Sequence, residues 1–425
     1  MAVALAVTAA VAAASGCSSD DSAPKPDRPV AVALDHSSLP SPLTIGVVVS
    51  LTSAPGQGSE WVESAEGARV AAFRYQLDGR TVKLDVVDDH GTSDGAVGAV
   101  KSLVKDGAAG IVMATTGSHL TAALASAVSA KTAVLMPYGP VPGSSPGEGI
   151  WSTAPSATGI VSGLQDAEER LGVSRPYAIT ASGGPMLDLQ VVGHSAADDV
   201  HAAVKAAVKA ARQQSADSIF VDGPAHVEAE VVSALQGAGV STPILLGPAA
   251  ESPTFATQLA AAGGTMSGLL VTAGADATDA SAAGGSARQQ VAAAFFQALR
   301  MTAQNPSIHD FFAGQPFSAH AAYADIASHD AVVALANAAA KAGTEDPAAV
   351  RDALSSLKLG PDDGLAGPAL DFSSSSALPD SAVVPLQATT LDPGMRGDLD
   401  AKRELFWFSI ADDGAGASAD AAPAS

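Results

Sequence analysis

The sequence predicts an α/β fold built on parallel sheets, and three observations predict it. From Leu43 to Tyr138, short apolar runs alternate three times with stretches of helical periodicity. The runs are continuously apolar, as in strands covered on both faces. A second alternating series follows Ile150. Strand–helix–strand units of this kind put helices on both faces of a parallel sheet.

The chain has 425 residues, enough for two or three domains. Hydrophobic residues make up 47% and aromatics only 4%, so a large core must be mostly Ala, Val and Leu. A net charge of −22 repels phosphate backbones and excludes nucleic acid as a partner. The one cysteine, Cys17, excludes an intrachain disulfide and a Cys-based metal cluster. Residues 1–14 are almost wholly apolar and small, too short a run for a mature membrane span. The following Ala14-Ser15-Gly16-Cys17 resembles the lipobox of bacterial lipoproteins. That implies a signal peptide over 1–17 and a lipid anchor at Cys17; an ordinary secretory signal is the alternative reading.

Pro24, Pro26, Pro29, Pro40 and Pro42 among Ser and Asp predict a disordered tether over 18–42. Leu43–Val49 is the first strand, and a Gly/Ser/Pro loop, Ser53–Ser59, leads to a helix from about Glu60 to Leu77. Trp61, Ala65, Ala68, Ala72 and Tyr75 give that helix its apolar face. Thr81–Val87 is a strand and Asp94–Lys105 a helix, with Gly107 as its C-cap. Ile111–Ala114 is the next strand, broken by Thr115, Thr116 and Gly117, and Ser118 stands where a helix N-cap belongs. On the turn alone Ser118 reads as a cap, while a hydroxyl beside free helix N–H groups also suits a carboxylate. A strand ending at Tyr138 and a Pro/Gly-rich loop, Gly139–Gly149, close the series. The loops at 53–59, 90–93, 115–118 and 138–142 all fall at the carboxyl ends of the strands, where such sheets bind ligands.

The second series predicts helices at Ile160–Leu171, Val200–Gln213, Ala229–Gln236 and Phe255–Ala261, and strands at Pro176–Ala181, Ser218–Val221, Ile244–Leu246 and Gly268–Val271. A strand at Leu189–Val192 follows Tyr177–Thr180 too closely for a parallel return, which predicts a hairpin-like turn or an altered edge. Gly274–Gly285 reads as a crossing loop. Helices follow at Gln289–Met301, Asp325–Ala342 and Pro347–Leu357, then an extended Pro368–Phe372, a strand Leu405–Ile410 and a disordered acidic tail, 411–425. His309, His320 and His329, with Asp310 and Asp330, are too loosely spaced for a local metal site, so no cofactor or metal is expected. No nucleophile elbow, Walker loop or His-Glu-x-x-His pattern points to an enzyme.

These patterns, in order, carry a resemblance. Ile45–Leu51 with Glu66-Gly67-Ala68-Arg69, Asp88-Asp89-His90 with Leu103-Val104-Lys105-Asp106-Gly107, and Thr116-Gly117-Ser118 with Leu135-Met136-Pro137 form the first part. Trp151-Ser152-Thr153-Ala154-Pro155-Ser156, Tyr323-Ala324 with Asp330-Ala331-Val332, and Gly367-Pro368 to Phe372 complete it. From Leu43 to Ile410 the chain resembles the branched-chain amino acid binding family of extracytoplasmic solute-binding proteins of ABC transporters.

The resemblance implies two doubly wound parallel-sheet lobes joined by crossing strands. The first lobe is expected over 43–150 and 275–360, the second over 151–274 and 361–410. It also implies an extracytoplasmic, lipid-anchored protein that closes on a small polar solute, such as an amino acid or amide, and hands it to ABC permease subunits. Ser118, beside Thr116, falls on the family's carboxylate-binding serine. Tyr138 and Gly139 fall on its second carboxylate turn, which here lacks a Thr hydroxyl and has Pro140, whose nitrogen cannot donate. The ammonium partner falls near Glu251, two positions late, with Asp222 as a second candidate. Trp61 lies near a ligand-contacting position. These departures support an alternative: a surface sensor or interaction lipoprotein that kept the fold and lost the amino acid pocket.

Overall fold

The computed structural model describes residues 30–410, apart from 36, 142–148, 182–186, 267, 313, 398 and 400–401. Cys17, the expected signal peptide and the acidic tail lie outside the described residues.

Strand β1 (Leu43–Val49) is buried along nearly its whole length, as its unbroken apolar run requires. Helix α1 (Gly67–Leu77), β2 (Val82–Asp88), α2 (Ser93–Lys105), β3 (Gly110–Met113), α3 (Thr121–Ser129), β4 (Ala133–Met136) and β5 (Ile150–Ser152) follow. The five strands form one parallel sheet in the order β2-β1-β3-β4-β5. Thr92 caps α2 by accepting from the Gly95 N–H.

Two local expectations are corrected. The helix expected from Glu60 is instead two short 3-10 turns, Ser59–Trp61 and Ser64–Glu66, before α1 begins. A Cβ on Gly67 would stand 1.9 Å from the Asp325 carbonyl oxygen, so the start of α1 is pressed against another chain segment. Ser118 is not an N-cap: it opens a 3-10 turn, Ser118–Leu120, and no side chain caps either that turn or α3.

The expected tether is also shorter than 18–42. From residue 31 the chain is seated on α1: Leu34 and Leu39 are buried, and Leu34 donates to the Arg74 carbonyl at 3.2 Å. The buried Arg74 guanidinium in turn donates to the Val32 carbonyl at 2.8 Å. Two leucines supply the apolar area, and Arg74 finds an acceptor that burial would otherwise deny it.

The second lobe comprises α4 (Ala157–Leu171), β6 (Pro176–Thr180), β7 (Gly193–Ala196), α5 (Val200–Arg212), β8 (Ser218–Asp222), α6 (Ala225–Gly237), β9 (Ile244–Leu246), α7 (Pro253–Ala261) and β10 (Leu270–Ala275). Strand β7 is not Leu189–Val192. It pairs in parallel with β6 from Gly193, leaving residues 181–192, about a dozen, for the return. The chain returns to the first lobe with α8 (Ala287–Ala303), α9 (Ile326–Ala342), α10 (Pro347–Leu354), β11 (Lys358–Leu359) and β12 (Leu370–Asp371). It ends with β13 (Val383–Thr389) and β14 (Phe406–Ser409).

Strand β13 was not legible in the sequence, because Pro385 interrupts it. It inserts antiparallel between β10 and β14, so the second sheet is mixed, in the order β14-β13-β10-β9-β8-β6-β7. The expected lobe boundary at 360/361 is displaced as well. Residues 358–377 stay with the first lobe: β11 pairs with β12, the Ser152 N–H donates to Ser375 O at 2.8 Å, and the Trp151 indole donates to Phe372 O at 2.9 Å. Helix α9 is buried on nearly every side, with Asp330 accepting from the Ala366 and Gly367 N–H groups at 2.9 and 2.8 Å. That pins the segment 364–367 to the core.

Candidate functional site

A cavity of about 170 Å³ lies between the lobes at the carboxyl ends of the strands. Its first-lobe wall starts with Trp61, which the 3-10 turn after Gly58 lays flat on Tyr138: the rings stack with centroids 4.6 Å apart and planes within 7°. The Tyr138 hydroxyl donates to Asp325 Oδ1 at 3.2 Å. Asp325 is the N-cap of α9, accepting from the Ser328 N–H at 2.9 Å. Burial pushes the Asp325 carboxyl up to about 6, against the lowering by its Ser328 and Tyr138 hydrogen bonds. Burial also pushes the Tyr138 hydroxyl well above its ordinary range, and the Asp325 charge adds to it.

The second-lobe wall holds Glu251, at the end of the 3-10 turn after β9, with its carboxylate over Gly274 of β10. Burial raises the Glu251 carboxyl to about 8; Arg403 opposes that shift and Asp325 reinforces it. Arg396 and Arg403 both line the cavity, and their situations differ. Arg396 is saturated: it grips Asp279 through two bonds of 2.6 and 2.8 Å and donates to the Ala321 and Ala324 carbonyls. Arg403, just before β14, reaches the same carboxylate through one bond of 3.3 Å. Thr153, on the first crossing, also lines the cavity, and its Oγ1 is buried with no hydrogen-bond partner among the described residues.

Of the residues expected from the sequence, Trp61, Tyr138, Gly139 and Glu251 meet in this cavity. Ser118 and Asp222 are not among its lining residues, and Ser118 is exposed. Thr116 stands behind the lining: its methyl would meet a Cβ on Gly139 at 3.2 Å. The turn that carries Thr116 is itself covered. Gly58, at φ 98°, lies so close that a Cβ there would fall 1.8 Å from Thr115 Oγ1 and 2.9 Å from the Thr116 nitrogen. His119, next to Ser118, is taken up by a buried brace, with Nε2 3.0 Å from Asp89 Oδ2, while Ser50 donates to Asp89 Oδ1 at 2.6 Å. Asp222 sits at the end of β8 with Glu228. Burial raises Asp222 to about 6, and burial with the Asp222 charge drives Glu228 well above its ordinary value.

Asp325, Thr153, Arg396 and Arg403 were missed. The signal available was thin: Arg396 and Arg403 lie between β13 and β14 in a chain with 22 cations, and nothing local joins them to Asp279. His309, His320 and His329 do not converge; His329 bonds Arg74 and Asp330, and His320 bonds Glu63. Among the described residues no group of three His, Cys, Asp or Glu side chains is placed to hold a metal.

A family model described as "periplasmic binding protein" matches residues 42–387. The chain belongs to the periplasmic binding protein family. No curated protein matches it in sequence. Among solved structures, this family member is similar to the branched-chain amino acid transporter substrate-binding protein LivJ of Streptococcus pneumoniae, in complex with isoleucine. That pair has 17% identity, coverage of 87% of this chain and 100% of the other, and a TM-score of 0.61. An ABC transporter substrate-binding protein of Desulfitobacterium hafniense, in complex with Leu, is similar at 16% identity, 83% and 98% coverage and TM-score 0.58. So is the leucine-binding protein LivK of Thermotoga maritima, at 16%, 86% and 98%, and 0.56. At these identities the likeness is one of fold: a two-lobe type I periplasmic-binding architecture. Arg396 and Arg403 lie beyond the residues that the family model matches. No helix among the described residues is long and apolar enough to cross a membrane.

Proposed function

We propose that this protein is a binding protein rather than an enzyme, one that captures a small polar solute between its lobes and presents it to the permease of an ABC importer. One observation carries the reading: a cavity walled by both lobes holds an aromatic stack, three carboxyl groups and two guanidinium groups, of which Arg403 is incompletely paired among the described residues. Such a mixture suits a solute with an apolar body and charged or polar ends. Membership of the family supports the importer role, and the Ala-Ser-Gly-Cys17 pattern supports a lipid anchor that holds the protein outside the cell membrane. Solute touches both lobes and so favours the closed arrangement by its differential affinity.

A thermal-shift screen of amino acids, amides, urea-like compounds and short peptides tests this, on protein denatured and refolded to strip carried-over ligand. Amino acids head the panel because two similar structures hold isoleucine and leucine. A solute at about 100 times its dissociation constant adds about 2.7 kcal/mol to stability. A panel without any shift refutes solute capture. It then favours the second reading, a surface sensor or interaction lipoprotein, whose supporting observation is Gly58 packed over the Thr115–Thr116 turn.

A further inference from the structure

We propose that Arg403 is the anion anchor of the interlobe cavity and that it pairs with a carboxylate of the captured solute. The inference rests on the solute-capture reading and names the chemistry of the solute and the residue that holds it.

Two observations converge on Arg403. First, a guanidinium presents five N–H donors. Among the described residues Arg403 makes one hydrogen bond, a 3.3 Å contact to Asp279 Oδ1. That oxygen already accepts from Arg396 Nη2 at 2.8 Å, and the other oxygen of the same carboxylate accepts from Arg396 Nε at 2.6 Å. Asp279 is therefore satisfied without Arg403, and the second guanidinium keeps donors for a planar oxyanion. Second, the first-lobe turn at 115–118 does not line the cavity: Gly58 lies against Thr115 and the Thr116 nitrogen, and Ser118 is exposed elsewhere. The anion therefore has no comparable partner there.

The charge around the cavity sets the class of anion. Arg396 and Asp279 cancel as a bidentate pair. Arg403 then faces the carboxyl groups of Glu251 and Asp325, which share the cavity and act on one another electrostatically. Glu251, raised to about 8, keeps its proton at neutral pH, so Arg403 faces one ionised carboxyl, Asp325, and accommodates a monoanionic carboxylate. A phosphate or sulfate dianion would meet Asp325 with a second negative charge. The apolar part of the lining, Trp61, Tyr138, Ile160 and Trp407, suits a hydrocarbon or aromatic body on that carboxylate.

Isothermal titration calorimetry on the full-length refolded chain tests this. The probes are small carboxylic acids with and without an α-amino group, each beside its carboxamide, together with inorganic phosphate and sulfate. The expected result is that at least one carboxylate binds and that its amide binds about 10- to 100-fold more weakly, the usual range for a lost hydrogen bond to a charged group. Arg403→Gln should weaken the carboxylate by a similar factor, and Arg403→Lys by less, because the charge stays while the fork is lost. Equal binding of acid and amide by the wild type, or undiminished binding of the acid by Arg403→Gln, overturns the anchor while leaving solute capture standing. Tighter binding of phosphate than of any carboxylate also overturns it. No heat from any probe, with no shift in the broader solute screen, removes both readings. Should Arg403→Gln fail to fold, the acid-against-amide comparison on the wild type and the Arg403→Lys variant still decide the question.

Discussion

Glu251 shows how a single carboxyl couples this site to pH. Its folded value is near 8 against an ordinary 4.5, because burial beside β10 outweighs the attraction of Arg403. Between those values the folded state keeps a proton that the unfolded chain has released. The contribution of Glu251 is therefore most favourable below about pH 4.5 and is lost as pH rises to about 8. At about 1.4 kcal/mol per unit, discounted for partial exposure, the loss is on the order of 2–3 kcal/mol. Asp325, raised to about 6, adds a loss of the same sign over a lower window. Glu251→Gln should flatten the decline in melting temperature between pH 5 and 8; parallel curves for variant and wild type would show that Glu251 is not its source. Ser118 is the opposite case. Its position on the turn was legible in the sequence, its exposure was not, and Ser118→Ala should change solute affinity by less than about twofold in a calorimetric titration.

The contact between the starts of α1 and α9 governs the shape of the first-lobe wall. Asp325 holds the Tyr138 hydroxyl and caps α9, and its carbonyl lies where a side chain on Gly67 would stand. Gly67→Ala forces the two helix ends apart, so it should destabilise the protein by about 1–3 kcal/mol, as overpacking of a tight contact does. It should also weaken solute binding, since Asp325 and the Trp61–Tyr138 stack move with α9. Urea unfolding at matched pH measures the first effect and titration the second; an unchanged midpoint would mean that the contact is slack. The same pair of helices explains a sequence expectation that failed. Trp61 has helical spacing to Ala65, Ala68 and Ala72, yet the chain there is two 3-10 turns, because close approach to α9 decides where the α-helix begins.

Across the whole molecule, the lobes already touch at the cleft rim, where a Cβ on Gly56 would meet Pro224 at 3.1 Å. This is a closed arrangement, and if the solute-free protein opens from it, adding the solute found by the screen should lower the radius of gyration in small-angle scattering. The fall should be smaller for Arg403→Gln at the same solute concentration. A radius that does not change on saturation would show that binding does not bias the lobes. Within the first lobe the segment 364–367 is held by α9: Asp330 accepts from Ala366 and Gly367, and Arg74 and His329 lie in the same buried chain of hydrogen bonds.

The sequence by itself determined the α/β class, the order of nearly every strand and helix, the family, and the presence of Trp61, Tyr138 and Glu251 near the strand ends. Those features follow from local apolar periodicity and turn chemistry, which act within a few residues of one another. The tertiary structure alone decided which polar groups share a cavity. Arg403 meets Glu251 and Asp325 across the fold because β13, masked in sequence by Pro385, carries the last segment back beside β10. It also decided that Ser118 faces outward and that the tether settles on α1 from residue 31. Each of these outcomes is a contact between distant segments, fixed by packing and the pairing of buried polar groups rather than by the residues on either side.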